Sequence, residues 1–231
     1  MPIHILIVED DPDINRLLER ILQKEGYQTT AAFSGSEARL LMKSTAFDLL
    51  VLDLMLPGAT GEELIEEVRR NHTTPILVIS AKGQEEKLHA LKIGADDFIS
   101  KPFDVNEVAV RVYSLLRRSR DFTEHPESAA RLFLKNLEIL PESREVLVAG
   151  QPLSLTAREY DILALLIRYP NKVFTRQNLF ETIWGGAYLG DDNTINVHIS
   201  NLRSKIQKLD PDEEYISTVW GVGFKAAKPR P

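Results

Sequence analysis

Short apolar runs alternate with longer amphipathic segments through the first half of the chain. Strand-like runs occupy positions 5–8, 29–32, 49–52, 76–79 and 98–99. Between them, apolar residues recur at the spacing of a helix face, as Ile14, Leu18 and Leu22 do. The first, third and fourth runs lack polar alternation, which is typical of strands buried on both faces. Five strand–helix repeats in ~120 residues predict an α/β domain with a doubly wound, five-stranded parallel sheet.

The pattern breaks near Arg117, where a polar stretch that contains Pro126 shows no sustained period. We interpret residues 120–130 as a linker between a first domain at 1–119 and a second at 131–231. The second domain has strand-like runs at 131–134, 137–140, 145–148, 215–219 and 224–226, and helical patterns at 156–168, 175–184 and 193–209. Thr156 and Glu159 form a capping-box pattern at the first of these helices. The order predicts an α+β domain with three helices between hairpins.

Composition excludes several classes of site without indicating a function. Hydrophobic residues make up 43% and charged residues 27%, as in soluble globular proteins. The absence of Cys excludes disulfides, a thiol nucleophile and thiolate metal sites. No apolar run approaches the ~20 residues that span a bilayer, and the start lacks the basic region of a signal peptide. We therefore expect a cytoplasmic protein without a membrane partner.

Net charge is −6, and the acid is concentrated in the first half. Residues 1–121 contain 15 Lys and Arg against 20 Asp and Glu, a net of −5, so the remaining residues carry −1. Neither half is basic enough for its charge alone to indicate nucleic-acid binding.

Polar side chains follow successive strands of the predicted sheet. Glu9 and Asp10 follow the first strand, Asp53 the third, Ser80 ends the fourth and Lys101 follows the fifth. Because parallel strands end at one edge of the sheet, we expect these groups to converge. Carboxylates held close together repel unless a cation neutralises them, and Mg²⁺ prefers such oxygen ligands.

Two of the residues at these strand ends also have a purely structural interpretation. Asp11, followed by Pro12, suits a helix N-cap better than a metal site. Lys101 could serve only as the ion-pair partner of Asp53, which needs one at a buried strand end. The combination at successive strand ends favours a functional site.

The chain resembles a known family over nearly its whole length. The similar segments are Ile5–Asp11, Leu52–Gly58, Ser80-Ala81 and Gly94–Phe103 in the first half, and Leu155–Tyr160, Asn196–Arg203 and Val219–Phe224 in the second. The first set resembles the receiver domain of bacterial two-component response regulators, a flavodoxin-like fold. The second resembles the winged helix-turn-helix domain of the OmpR/PhoB family.

This resemblance implies a phosphorylation-controlled transcription regulator. Asp53 would accept a phosphoryl group from a sensor histidine kinase, and Ser80 and Lys101 would contact the phosphoryl oxygens. The resemblance implies Mg²⁺ as the cofactor, held by Glu9, Asp10, Asp53 and the Met55 carbonyl. It also implies a cis bond between Lys101 and Pro102. We expect the receiver to catalyse only the transfer of a phosphoryl group to its own Asp53 and the later loss of that group. We expect no other enzyme activity.

The resemblance also implies a switch and a dimer face in the first domain. Ser80 and Phe98 would form the switch, with Phe where many relatives have Tyr, although Phe98 could equally be ordinary core. The expected pairs across a homodimer that forms on phosphorylation are Lys87 with Glu107, Asp97 with Arg111, and Asp96 with Arg118. Exposed ion pairs are worth only ~0–1 kcal/mol each, so these would set register more than affinity.

The third helix of the second domain has the pattern of a helix that reads double-stranded promoter DNA. Its inward face is apolar, at Ile195, Ile199, Leu202, Ile206 and Leu209. The residues expected at DNA are Asn193, Thr194, Val197, His198, Ser200, Asn201, Arg203 and Lys205, with Trp220 in the wing. Relatives often carry Arg at 200, 201 and 220. RNA polymerase is a further expected partner.

Two alternative functions remain. One is a Mg²⁺-dependent phosphatase or phosphotransferase, which would need a general acid near Asp53, where Met55 cannot act as one. The other is a regulator that works without phosphate, which the complete set of pocket residues disfavours.

Overall fold

The computed structural model describes residues 2–117, 131–185, 188 and 192–228. The chain divides into two compact units, Met1–Leu116 and Arg117–Pro231. The predicted linker at 120–130 and the predicted dimer residue Arg118 lie outside the described residues, so the boundaries expected at 119 and 131 stay predictions.

The first unit is built on a five-stranded parallel sheet with the order β2-β1-β3-β4-β5, which confirms the predicted doubly wound fold. The strands are β1 (His4–Val8), β2 (Gln28–Ala32), β3 (Leu49–Leu52), β4 (Ile76–Ser80) and β5 (Asp97–Ser100). Strands β1, β3 and β4 are almost completely buried, as their unbroken apolar sequences predict. In register, Val8 lies opposite Leu52, so β1 and β3 end level with each other.

Helices connect the strands: α1 (Pro12–Lys24), α2 (Gly35–Ser44), α3 (Gly61–Asn71), α4 (Gln84–Ile93) and α5 (Val105–Arg117). Asp11 caps α1 by accepting hydrogen bonds from the N–H groups of Asp13 and Ile14, which confirms its structural interpretation. The first residue of α3, Gly61, packs against the backbone of Asp53, and a side chain there would collide with the Asp53 carbonyl. This close approach fixes the start of α3 beside the strand-end acids.

The second unit begins with a four-stranded antiparallel sheet formed by β6 (Leu132–Leu134), β7 (Leu137–Leu140), β8 (Glu145–Val148) and β9 (Gln151–Pro152). Three helices follow, α6 (Ala157–Arg168), α7 (Arg176–Trp184) and α8 (Asp192–Gln207). A three-stranded sheet contains β10 (Phe174–Thr175), β12 (Gly223–Ala226) and β11 (Ile216–Val219), in that order. The sequence pattern missed β9 and β10 because two-residue strands have no measurable period.

A single apolar core joins the three helices to both sheets of the second unit. The capping box predicted at α6 is present, with Thr156 and Glu159 each bonding the other's backbone N–H. Helix α8 ends two residues earlier than predicted, where the N–H groups of Leu209 and Asp210 both turn back to the Ile206 carbonyl. Its residues Ile195, Ile199, Leu202 and Ile206 are buried, as their spacing predicts.

Candidate functional site

Three carboxylates converge at the carboxyl edge of the parallel sheet. Oxygen atoms of Glu9, Asp10 and Asp53 lie within 4.8 Å of one another, with Glu9 and Asp53 buried and Asp10 exposed. The cause is the level ending of β1 and β3, which a backbone hydrogen bond from Asp53 N–H to the Val8 carbonyl continues for one more residue. The predicted convergence is present.

Lys101 is the counterion of two of these acids. Its ammonium donates to both oxygens of Glu9, at 2.9 and 2.7 Å, and to Asp53 Oδ2 at 2.6 Å. The other oxygen of Asp53 accepts from Ser80 Oγ at 2.6 Å and from the Met55 N–H at 3.0 Å. The peptide bond that follows Lys101 is cis. Every polar residue predicted at these strand ends, apart from the exposed Asp10, is thus joined to Asp53 directly or through Lys101.

This environment shifts the pKa values of the two buried carboxylates, Glu9 and Asp53, in opposite directions. Burial raises the pKa of Glu9, and the hydrogen bond and charge of Lys101 only partly oppose that effect. Burial also acts to raise the pKa of Asp53, but hydrogen bonds from Lys101, Ser80 and Met55 outweigh it and lower the pKa. The pKa of Lys101 is raised because its two acidic partners outweigh its burial. Asp53 is therefore held as a carboxylate, the form in which it can act as a nucleophile.

The donor set fits a hard divalent cation. Three carboxylates share the site with one ammonium, so their charge is incompletely neutralised, and all offer the oxygen ligands that Mg²⁺ prefers. The backbone of Glu9 is held by Asn15, a buried residue of α1 whose side-chain amide donates to the carbonyls of Glu9 and Ala32. Sequence reasoning missed Asn15, although an amide on the apolar face of an amphipathic helix is a signal that could have identified it.

In the second unit, α8 presents a polar stripe to solvent. Asn193, Ser200 and Ser204 are exposed, and Val197 and Asn201 are half-buried. These positions recur every three or four residues and so lie on one face of the helix. An α-helix fits the major groove of DNA, where amide and apolar side chains can read base edges.

A hairpin formed by β11 and β12 is fastened to α8. Arg203 donates from Nε and Nη2 to the Ile216 carbonyl, at 3.2 and 2.7 Å, and from Nη2 to Thr218 Oγ1 at 2.8 Å. The guanidinium groups of Arg203 and Arg176 both lie over the ring of Phe224, at 5.8 and 5.3 Å. The helix and the hairpin are thus held in one arrangement.

Comparisons with known proteins agree with both halves of this description. Residues 5–113 match the response regulator receiver domain, and residues 150–226 match the C-terminal domain of transcriptional regulatory proteins. The transcriptional regulatory protein SrrA of Staphylococcus aureus is 39% identical over 226 residues, which cover 96% of this chain and 94% of SrrA. The chain belongs to the OmpR/PhoB-type response regulators.

Other relatives extend along the same length. An uncharacterized transcriptional regulatory protein of Bacillus subtilis, YcbL, is 37% identical over 222 residues, covering 95% of this chain and 98% of that protein. Among solved structures, a RitR mutant is similar with a TM-score of 0.77, at 28% identity over 98% of this chain and all of that one. DrrB, an OmpR/PhoB homologue from Thermotoga maritima, has a TM-score of 0.51 at 28% identity, over 98% of this chain and 99% of that one.

These findings assign the chain to the two-component response regulators, with a receiver domain and a DNA-binding domain of the transcription-regulating type. None of the described helices is both long and apolar enough to cross a membrane.

In the receiver, the predicted switch ring is buried. Phe98 is almost inaccessible, and the Lys87 ammonium lies 5.9 Å from the centre of its ring. The predicted dimer residue Lys87 therefore contacts the predicted switch residue within one chain.

The predicted dimer residue Asp96 is enclosed within one chain, and its pairing with Arg118 across a dimer stays a prediction. Asp96 has no exposed surface, and its carboxylate accepts from Arg69 Nη2 at 2.7 Å and from the Ile76 N–H at 2.9 Å. Asp97 and Arg111 form an ion pair of 3.2 Å within the chain, and Arg111 also bonds Glu107 at 3.3 Å. A pairing of these residues across a dimer stays a prediction.

Four of the residues predicted at DNA have other environments. Thr194 and His198 are 2% and 1% exposed, and the ring of His198 lies against that of Trp184, so side-chain contacts of these two with DNA are not supported. Arg203 donates to the Ile216 carbonyl and to Thr218 Oγ1 of the hairpin, so the structure gives it a structural role and does not support its expected DNA contact. Lys205 bonds the buried carboxylate of Glu159 at 2.6 Å rather than facing outward.

Proposed function

We propose that this response regulator accepts a phosphoryl group on Asp53 from the phosphohistidine of a sensor kinase. The carrying observation is the Asp53 carboxylate, whose two oxygens are held by Ser80, the Met55 N–H and Lys101. A carboxylate oxygen forms a bond to phosphorus as the phosphorus–nitrogen bond of the phosphohistidine breaks, and the imidazole nitrogen keeps the electron pair. The product is an aspartyl phosphate.

The same residues are placed to stabilise the charge of the transferred group. Ser80 Oγ and Lys101 Nζ each lie 2.6 Å from an oxygen of Asp53, so both can redirect their hydrogen bonds to phosphoryl oxygens at small displacement. Glu9, Asp10, Asp53 and the Met55 carbonyl would hold Mg²⁺, which supplies positive charge against the phosphoryl oxygens. Before phosphorylation, the ammonium of Lys101 bonds both Glu9 and Asp53 and so holds the two carboxylates close together. Hydrolysis of the aspartyl phosphate by water would return the receiver to its starting state.

The alternative of a phosphatase acting on an external substrate lacks a proton donor at the expected place. Met55, two residues after Asp53, is exposed beside the acids and has no ionisable group. The phosphoryl group therefore stays on Asp53 until water hydrolyses it. A long-lived aspartyl phosphate suits a signalling protein better than an enzyme that turns over an external substrate.

We propose further that phosphorylation pairs two receivers and that the second unit then binds promoter DNA through α8. The face of α8 with exposed Asn193 and Ser200 and half-buried Val197 and Asn201 would read bases, and RNA polymerase is the expected recipient of the signal. Dimeric regulators place half-sites about one helical turn apart, and we expect direct repeats at roughly ten to eleven base pairs.

The first experiment tests the chemistry. With Mg²⁺ and acetyl phosphate, the protein should gain one acid-stable, base-labile phosphoryl group by intact-mass measurement, and Asp53→Ala should gain none. Asp11→Ala is the matched control, because Asp11 is a neighbouring acid that only caps α1. Equal labelling of wild type and Asp53→Ala would exclude Asp53 as the acceptor.

The second experiment tests the consequences. Beryllofluoride, a phosphoryl mimic, should convert monomer to dimer in sedimentation, Glu107→Lys should prevent this, and the charge exchange Lys87→Glu with Glu107→Lys should restore it. Selection from a random duplex library should then show that Asn201→Ala changes the preferred base at one position. A wild type that stays monomeric with beryllofluoride, or that selects no motif, contradicts this part of the proposal.

A further inference from the structure

The tip of the β11–β12 hairpin presents a large apolar side chain to solvent. Trp220 is 90% exposed, and its neighbour Val222 is also exposed. The turn is tight, with a hydrogen bond from the Val222 N–H to the Val219 carbonyl at 2.9 Å and with Gly221 at a φ of 72°. An indole held outward by so short a turn has surface to bury and little freedom to fold back.

This tip has a fixed position relative to α8. Arg203, on α8, bonds Ile216 and Thr218 of β11, and Thr218 lies two residues before Trp220. On β12, the ring of Phe224 lies close to the guanidinium groups of both Arg176 and Arg203, which are 5.3 and 5.8 Å from its centre. A surface that meets α8 therefore meets Trp220 at a defined distance.

We propose that Trp220 is an apolar wedge that enters the minor groove next to the major groove read by α8 and partly unstacks one base-pair step. This inference rests on the proposed DNA binding of α8. The groove beside an occupied major groove is the minor groove, ~6 Å wide in B-DNA, and apolar side chains that insert there kink the duplex. Pyrimidine–purine steps unstack most easily, so the wedge selects such a step without reading base edges.

The charges around the hairpin favour DNA as the occupant over a protein surface. Lys225 lies opposite Ser217 in the hairpin register, and the guanidinium group of Arg176 lies against Phe224 of β12. A minor groove is bordered on both sides by phosphates, which match an apolar tip with cations behind it. An apolar protein partner gains nothing from those cations.

The two tryptophans of the chain make the contact measurable. Trp184 is fully buried in the core of the second unit, so acrylamide quenching of tryptophan fluorescence reports chiefly on Trp220. The probe is a 30-base-pair duplex, a length of roughly three helical turns, that carries the motif selected by the full-length protein activated with beryllofluoride. In further duplexes, 2-aminopurine replaces each adenine beside the motif in turn, because its fluorescence rises when it unstacks.

Binding of wild type should protect Trp220 from acrylamide and raise 2-aminopurine fluorescence at one step. Trp220→Ala should bind roughly 5- to 150-fold more weakly, the range for loss of one stacked aromatic, and should lose the 2-aminopurine signal while keeping the bases selected by α8. Trp220→Arg should recover affinity with a salt slope steeper by about one, again without that signal. Phe133→Ala, at an exposed aromatic residue of β6, is the matched control and should bind as wild type does.

The failures of the two proposals are distinguishable. A wild type that selects no duplex overturns the proposed DNA binding and this inference together. Selection of a motif with Trp220 still open to acrylamide in the complex, or with equal affinity for Trp220→Ala, overturns the wedge alone. In the latter case, loss of transcription regulation in Trp220→Ala would assign the tip to a protein partner.

Discussion

Replacing Lys101 with Met removes the one ammonium that joins Glu9 to Asp53 while keeping most of the side-chain volume. Both carboxylates are nearly buried, at 2% and 5% exposure, and both bond Lys101 at 2.7 Å or less. Loss of one partner from a buried ion pair costs about 3–5 kcal/mol, because the remaining charge stays desolvated. Lys101 is 15% exposed, so the lower end of that range, about 3 kcal/mol, applies to the receiver.

Urea unfolding followed with two probes measures this loss in the full chain. Far-UV circular dichroism reports both units, whereas tryptophan fluorescence reports only the second, since Trp184 and Trp220 both lie there. With a denaturant slope of about 2 kcal/mol per molar, Lys101→Met should lower the midpoint of the receiver transition by about 1.5 M. The fluorescence transition should not move. Lys82→Met is the matched control, because the Lys82–Glu62 pair is more exposed and worth at most about 1 kcal/mol.

Mg²⁺ should reverse most of the loss, because the acids freed by Lys101→Met attract the cation more strongly. At a hundred times its dissociation constant, a ligand of the native state adds about 2.7 kcal/mol. The Mg²⁺-induced shift of the midpoint should therefore be larger in Lys101→Met than in wild type. A loss below about 0.5 M in the absence of Mg²⁺, on the same slope, or an equal Mg²⁺ shift in both proteins, would refute the electrostatic account of the pocket.

Two further predictions concern buried acids of the second unit. Hydrogen bonds from Tyr215 and Asn136 lower the pKa of Asp210 below its ordinary 3.8, so its stabilisation is present above that pH and disappears as pH falls through the lowered value. Asp210→Asn should therefore unfold more easily than wild type at pH 7, and this difference should shrink as the pH falls below 3.8 in urea titrations read by tryptophan fluorescence; a constant difference at all pH values would contradict this. Lys205→Met should destabilise the same unit by about 2 kcal/mol, since Glu159 keeps its burial and loses its cation, and should leave the selected DNA motif unchanged.

The receiver pocket could be predicted from sequence because its logic is topological. Strands of a parallel sheet end at one edge, so Glu9, Asp53 and Ser80 had to converge whatever the details of packing. The buried partner of Asp96 could not be predicted in this way. Asp96 and Asp97 are adjacent acids that are both buried, and only the path of α3, which carries Arg69 27 residues earlier, decides which of them bonds that arginine.

The facing of α8 shows a different limit. The apolar period correctly predicted the buried positions Ile195, Ile199 and Leu202, but it left the width of the buried face undetermined. Trp184 covers the flank of the helix at His198, so the core encloses more of its circumference than the apolar residues alone mark out. Polar residues at the border of an amphipathic helix can belong to either side, and the neighbouring helix decides.

Several cations of the second unit are paired with acids, which affects the DNA affinity that one copy can have. Lys205 is paired with Glu159, Lys135 with Glu213 and Arg144 with Asp161, in a sequence segment whose net charge is already about zero. Phosphate contacts supply the sequence-independent part of DNA affinity, so one copy has little of it to offer. Under the proposed function, two copies joined through their receivers make the second contact intramolecular, and affinity then rises through effective concentration rather than through charge. Under the same proposal, weak binding by the single copy would allow phosphorylation at Asp53 to control DNA occupancy.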